Sequence, residues 1–164
     1  MIILGLDPGT ATTGYGVVQM VGHRFHCIAY GAILTSPHLP MQERLKVIYQ
    51  DLGEILERFC PDTVAIEQLF FGRNTTTAIT VGQARGVMLL RLAQENLPID
   101  EYTPMQVKKA LVGYGNAEKK QVQYMVQSVL KLTEIPKPDD AADALAIAIC
   151  HAHSKMGLLH GGTS

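Results

Sequence analysis

The run Ile2-Ile3-Leu4-Gly5-Leu6, followed at once by Asp7-Pro8-Gly9-Thr10, constrains the fold more than any other stretch of this chain. Five apolar or small residues in a row predict a strand buried on both faces, as in a mostly parallel sheet covered by helices. Pro8-Gly9 stops the strand directly after its acid. Open α/β sheets place their ligands at the carboxyl ends of central strands, which is where Asp7 falls. Taken alone, Asp7 is more simply a turn residue folding back onto its own backbone. Its meaning depends on whether other acids converge on it.

The chain's 164 residues suffice for one compact domain. That domain is expected over residues 1–154, with 155–164 as a flexible tail ending in Gly161-Gly162-Thr163-Ser164. No apolar run approaches the roughly 18 residues a membrane span needs. The start lacks a basic segment and a small-residue cleavage site, so a cytoplasmic location is expected. Cys27, Cys60 and Cys150 are odd in number and far apart, which suits reduced thiols better than a disulfide framework or a zinc site.

A Gly/Thr-rich turn follows Asp7. Alternation over Tyr15 to Met20 and Phe25 to Leu34 predicts two strands joined tightly at Val21-Gly22-His23, giving a three-stranded antiparallel opening. Leu45, Ile48, Leu52, Ile55 and Phe59 recur at helical spacing, so a helix over 41–59 packs on the sheet. Thr63-Val64-Ala65-Ile66-Glu67 is a short buried strand, again closed by an acid. A loop carrying Phe70 and Phe71 leads to a helix over 75–95, a strand over 97–101 and a weaker helical stretch around Val107 to Val112. Helices over 118–130 and 139–153 complete the set.

The acids then form a pattern. If the strands ending in Asp7 and Glu67 are neighbours, their carboxylates share one sheet edge. The last helix opens Pro138-Asp139-Asp140-Ala141-Ala142-Asp143. Asp140 and Asp143 lie on one helix face, and the alanines beside them allow close approach to the sheet. Capping and the helix dipole explain Asp139 and to a degree Asp140, but Asp143 sits a turn further in. Asp139 and Asp140 flank the Asp143 direction from either side, so geometry alone does not choose between them.

Converging acids repel unless a cation sits among them. Hard divalent ions with oxygen ligands suit the set, and Mg²⁺ takes few carboxylates plus water and phosphate. Two such ions about 3.5–4 Å apart would stabilise both the attacking and leaving oxygens of a phosphodiester displacement. Net charge is −1, but five lysines (108, 109, 119, 120 and 131) stand against a single acid, Glu118, between Tyr102 and Lys131. A solvated helical face and a nucleic-acid surface are both open readings of that stretch.

Together these residues carry a resemblance. Leu4-Gly5-Leu6-Asp7-Pro8-Gly9-Thr10 with Thr13-Gly14-Tyr15-Gly16, Ala65-Ile66-Glu67-Gln68, Gly82-Gln83-Ala84-Arg85-Gly86, Gln106-Val107-Lys108, Ala117-Glu118-Lys119 and Asp140-Ala141-Ala142-Asp143 run in order along nearly the whole chain. The pattern resembles the RuvC family of bacterial Holliday-junction endonucleases. The resemblance implies an α/β, ribonuclease H-like fold: a five-stranded mixed sheet, strand 2 antiparallel, flanked by helices. It implies paired symmetric phosphodiester hydrolysis at four-way DNA junctions during recombination and repair, by a homodimer using Mg²⁺ or Mn²⁺, with the branch-migration proteins RuvA and RuvB as partners. It assigns catalysis and metal binding to Asp7, Glu67, Asp140 and Asp143. Lys108 and Lys119 match DNA-binding positions, and Phe70 matches a loop aromatic at the crossover. Asp139 has no catalytic counterpart in the family pattern, which leaves it a capping role.

Two other classes compete. A non-catalytic junction-binding module would not need all four acids. The opening Asp-Pro-Gly-Thr with Gly14 and Gly16 also looks like the first phosphate loop of actin-like and Hsp70-like ATPases, which need a second lobe to close over the nucleotide. Gly82 and Gly86, each costing about 1 kcal/mol against alanine inside a helix, admit close packing either within the chain or against a two-fold partner. His151 and His153 are two apart on a helix, poor metal-ligand geometry, and read as ordinary core or surface residues.

Overall fold

The structure, a computed structural model, describes residues 1–69 and 75–160, and only the backbone of 158–160. Its order is β1 (Ile2–Asp7), β2 (Thr12–Val21), β3 (Arg24–Leu34), α1 (Met41–Phe59), β4 (Thr63–Glu67), α2 (Thr75–Gln94), β5 (Ile99–Tyr102), α3 (Pro104–Val112), α4 (Lys119–Leu130) and α5 (Asp139–His160). The strands form one sheet in the order β3-β2-β1-β4-β5. β2 runs antiparallel to β1 and β3, whereas β4 is parallel to β1 and β5. This is the ribonuclease H-like mixed sheet that the resemblance implies. Among the described residues no helix is long and apolar enough to cross a membrane.

β1 is buried on both faces, and its two sets of side chains enter different cores. Leu4 and Leu6 join Ile48, Leu52, Met88 and Leu92 under α1 and α2. Ile3 joins Val107, Val126, Leu145 and Ile149 under α3, α4 and α5. The apolar stripe of α1 is therefore the sheet-facing one.

α5 lies nearer the sheet than ordinary side chains permit, because three strand glycines face it. A Cβ on Gly5 would stand 2.1 Å from the Ala144 carbonyl oxygen, and one on Gly14 would stand 1.9 Å from that of Asp140. On Gly16 it would meet Leu145 at 2.7 Å. The alanines of α5 (Ala141, Ala142, Ala144, Ala146 and Ala148) are buried to within 1%. Small residues on both surfaces bring helix backbone against strand backbone.

Farther along α5, His151 is buried between β4 and β5. The Thr63 hydroxyl donates to the Pro98 carbonyl, so its remaining contact with His151 Nε2, at 3.3 Å, has the ring nitrogen as donor. Nδ1 is then the acceptor for the Tyr102 hydroxyl at 2.9 Å. Burial holds the imidazole below its ordinary pKa despite Asp100, and it stays neutral. This is a satisfied core histidine tying α5 to the strands beside Glu67.

Two boundaries differ from the sequence reading. α5 runs past His153: helix continues to His160, with Lys155 Nζ 3.3 Å from Asp100, while 161–164 lie outside the described residues. Only Gly157 interrupts the helix-forming composition there, and one glycine is insufficient to stop a helix already docked on the sheet. β2 begins at Thr12 rather than Tyr15, because the last three residues of the Gly/Thr-rich stretch, Thr12 to Gly14, already pair with β3. The three cysteines are free.

Candidate active site

Strand alternation decides where the acids point. Gly5 and Asp7 share one face of β1, and Ala65 and Glu67 share one face of β4. Gly5 touches α5, and Ala65 belongs to the core that α5 covers. Asp7 and Glu67 thus stand on the α5 face. Leu6 pairs with Ile66 in parallel register, so the two acids leave adjacent strands at the same level. The neighbour relation that the sequence left open holds.

α5 supplies the other two. Gly14 pairs with Asp7 across β1 and β2, and the Asp140 backbone rests on Gly14. That contact fixes the first turn of α5 over the end of β1. Asp143, one turn on, has a side chain 34% exposed and accepts a hydrogen bond from Lys119 Nζ at 3.1 Å.

The electrostatics record the convergence. Burial pushes the Asp7 carboxyl up to about 8, with the charges of Glu67, Asp143 and Asp140 adding to it. Glu67 is raised by burial, against the hydrogen bond from Asp7 that favours its charged form. Asp143 is raised by burial, against the pull of Lys119. Burial lowers Lys119, but Asp143 and Asp139 outweigh it and leave its pKa above the ordinary value. The Asp7 carboxyl, raised by burial, is hydrogen-bonded to Glu67, which lessens the repulsion between the two acids.

The donor set suits a hard divalent ion, since every member is a carboxylate oxygen. As the side chains stand, no group of three or more His, Cys, Asp or Glu among the described residues is arranged to hold an ion. Asp7 is hydrogen-bonded to Glu67, and Asp143 is turned to Lys119. Deprotonation of the pair and release of that lysine contact would free the oxygens.

The doublet separates clearly. Asp140 turns inward, where its charge reaches Asp7. Asp139 is exposed, accepts from Gln123 Nε2 at 3.1 Å and lies 3.4 Å from Lys119 Nζ. The expected capping role of Asp139 is not what its side chain does. The N–H groups of Ala141 and Ala142 go to the Pro138 carbonyl, so Asp139 is already inside the helix and pins α4 instead.

Lys108 and Lys119 line one cleft with Glu67 and Asp143, floored by Val107 and Ile147 and about 220 Å³ in volume. Thr103 caps α3 reciprocally with Gln106, which sets the rotation that carries Lys108 to this cleft. Lys119 therefore sits among the acids, nearer than a general basic surface would require. Phe70 lies outside the described residues. The glycines under α5 were missed in the sequence: Gly14 and Gly16 read there only as turn residues and motif matches.

Comparison with known proteins bears on the family and the fold. The family model of the crossover junction endodeoxyribonuclease RuvC matches residues 3–151. RuvC of Desulforamulus reducens is 57% identical over 152 residues, covering 93% of each chain. RuvC of Desulfitobacterium hafniense strain DCB-2 is 58% identical over 154 residues, covering 94% of this chain and 93% of its own. Thermus thermophilus RuvC, solved in complex with Holliday junction substrate, aligns with a TM-score of 0.90 at 42% identity over 96% of each chain.

Proposed function

This chain belongs to the crossover junction endodeoxyribonuclease family RuvC and is a junction-resolving endonuclease; we propose that Asp7, Glu67, Asp140 and Asp143 are its catalytic acids. One observation carries the assignment: carboxylates from β1, β4 and α5 converge at one sheet edge, where burial first, and then the charges of Glu67, Asp143 and Asp140, push Asp7 up to about 8. In this reading the four hold Mg²⁺, or Mn²⁺ in its place, two ions to a site. A bound pair of such ions supplies Lewis-acid stabilisation to the attacking and leaving oxygens. The protein's part is to hold the acids in place, with Gly14 and Gly5 setting the height of α5. Lys119 balances their charge, and with Lys108 it offers the junction backbone two cations. The protein works in the cytoplasm on recombination and repair intermediates, with RuvA and RuvB as partners. Phe70 keeps its proposed place at the crossover.

Exchanging the metal tests this. With Ca²⁺ the protein is expected to bind a synthetic four-way junction without cutting it, and added Mg²⁺ should start cleavage. Cutting that proceeds in EDTA would contradict the metal assignment. Lys108→Ala and Lys119→Ala should each lower affinity, with the salt slope shallower by about 0.9 for one lost phosphate contact. An unchanged slope would make these lysines mere solvated surface.

The doublet gives a sharper comparison. Asp140→Asn is expected to stop cleavage, whereas Asp139→Ala should keep at least about a tenth of the rate. Asp139 forms an exposed ion pair with Lys119, so its loss should move stability by no more than about 1 kcal/mol. Melting curves and single-turnover rates for both variants check this, and the reverse pattern would exchange their roles.

The homodimer belongs to the same proposal. Ile79 and Leu90 on α2 are 60% and 56% exposed, and they line up with Gln83 and the open Gly86 at helical spacing. A Cβ on Gly86 would meet nothing within 4 Å among the described residues, so no packing among them explains that glycine. A two-fold partner helix does. Gly86→Leu should shift sedimentation at micromolar concentration from dimer towards monomer; an unshifted profile would place the interface elsewhere.

A further inference from the structure

A second, larger cleft of about 450 Å³ shares none of its lining with the lysine cleft and is walled by Gly9, Thr10, Thr12, Arg44 and Thr77. We infer that this cleft seats a backbone phosphate of the cleaved strand next to the one that is cut, held by Arg44 and Thr10. The inference rests on the nuclease reading above and assigns a binding role to Arg44 and Thr10, to which that reading gives none.

Arg44 comes from the first turn of α1, and its Nε donates to the Thr35 hydroxyl at 2.8 Å. That hydroxyl in turn donates to the Thr10 carbonyl at 2.5 Å. The guanidinium is thereby anchored through Nε, a bond that leaves the geometry of its terminal fork available to a two-oxygen acceptor. Among the described residues the arginines in ion pairs are Arg85 and Arg91, so Arg44 has no carboxylate of its own.

Thr10 provides the second observation. It is 9% exposed, and its hydroxyl is buried without a hydrogen-bond partner among the described residues. Buried hydroxyls are normally satisfied, and this one belongs to a residue that lines the cleft. A phosphate oxygen is an acceptor of the right kind, and an arginine fork is its usual companion. Thr77, in the first turn of α2, lines the same space, and that turn contains no acid, so the helix dipole also favours an anion. The Thr80 hydroxyl donates to the Thr77 carbonyl and is not a donor to the cleft.

Asp140 lines this cleft as well, which decides between a free anion and a DNA phosphate. A lone anion beside an acid would be repelled. A phosphate held in a strand whose next phosphate lies over the acids is brought there by the chain itself. The cleaved strand would then run from Lys108 and Lys119, across the acids, to Arg44.

The test replaces single phosphates of the cleaved strand by neutral methylphosphonates, one at a time, on either side of the cut. Single-turnover cleavage in Mg²⁺ and affinity in Ca²⁺ are measured for wild type, Arg44→Ala and Thr10→Val. At one uncut position, neutralisation should slow wild type about tenfold but Arg44→Ala less than about twofold, because the phosphate's partner is already gone. Thr10→Val keeps the shape and the carbonyl used by Thr35, and it should weaken the same position's effect. If Arg44→Ala cuts slowly yet stays as sensitive as wild type at every position, arginine only braces the loop through Thr35 and the inference fails. It also fails if Arg44→Ala cuts at the wild-type rate. A junction bound but left uncut by wild type would instead overturn the nuclease reading, and this seat with it.

Discussion

Asp7→Asn is expected to reduce junction cleavage by at least about a thousandfold, some 4 kcal/mol of transition-state stabilisation, while making the metal-free protein more stable at pH 8. The two effects share a cause. Asp7 binds its proton more tightly folded, where its pKa is about 8, than unfolded, near the ordinary 3.8. Between those values the native state holds more protons than the unfolded one, so stability falls as pH rises through that window. Asparagine keeps the shape and removes the charge that must be formed. The gain should be on the order of 2 kcal/mol or more at pH 8, shrink towards pH 5 and vanish below pH 4, since each unit of displacement is about 1.4 kcal/mol. Melting temperatures in EDTA across that range check it. Added Mg²⁺ should stabilise wild type and not the variant. A variant less stable than wild type at pH 8, or equally favoured at pH 5 and pH 8, would mean that burial and the neighbouring acids do not hold Asp7 above its ordinary pKa.

Gly14→Ala is expected to be among the most damaging single-methyl changes in the protein. Its Cβ would fall 1.9 Å from the carbonyl oxygen of Asp140 and 2.3 Å from the carbonyl carbon. Both are backbone atoms, so no side-chain rotation relieves the overlap. Either α5 lifts from the sheet or β2 withdraws. The cost should reach about 3 kcal/mol, the upper part of the range for overpacked cores. Cleavage should fall further than folding alone explains, because lifting α5 moves Asp140 and Asp143 away from Asp7 and Glu67. Single-turnover rates at a temperature where the variant is fully folded separate the two effects. A folded variant that cuts normally would show that the glycine contact does not set the spacing of the acids.

How much of this was legible beforehand depends on whether a feature is local. β1 and β4 were plain, because short apolar runs ending in Asp7 and Glu67 have no other comfortable place than a buried sheet. α1 was plain from its 3, 4, 3, 4 spacing. That β1 and β4 are neighbours was not, since strand order is a property of the whole chain. The acids could be named, but their convergence could not be derived from spacing.

The misreadings have the same origin. Asp139 looked like a cap because a doublet after proline at a helix start usually contains one. Its side chain instead finds Gln123 and Lys119 of α4, residues brought close only by the fold. Arg44 drew no notice, because one cation on the polar side of an amphipathic helix is the commonest of surface residues. It gains meaning from Thr35 and Thr10, distant in sequence. The close approach of α5 was half legible: its alanines announced a tight interface, but the facing glycines read as a turn and a phosphate-loop motif.

The central claim is that four acids on three elements make one metal-dependent site that cuts a four-way junction. The most direct measurement maps nicks on a synthetic junction, each strand end-labelled in turn, under single-turnover conditions. Wild type with Mg²⁺ should nick two opposed strands at symmetric positions and leave a linear duplex of the same sequence intact. Asp7→Asn, Glu67→Gln, Asp140→Asn and Asp143→Asn should each bind the junction and leave it whole. Cleavage above about a tenth of the wild-type rate in any of the four, a modest 1.4 kcal/mol loss, would remove that residue from the site. Wild type that binds the junction in Mg²⁺ without nicking it would contradict the account as a whole.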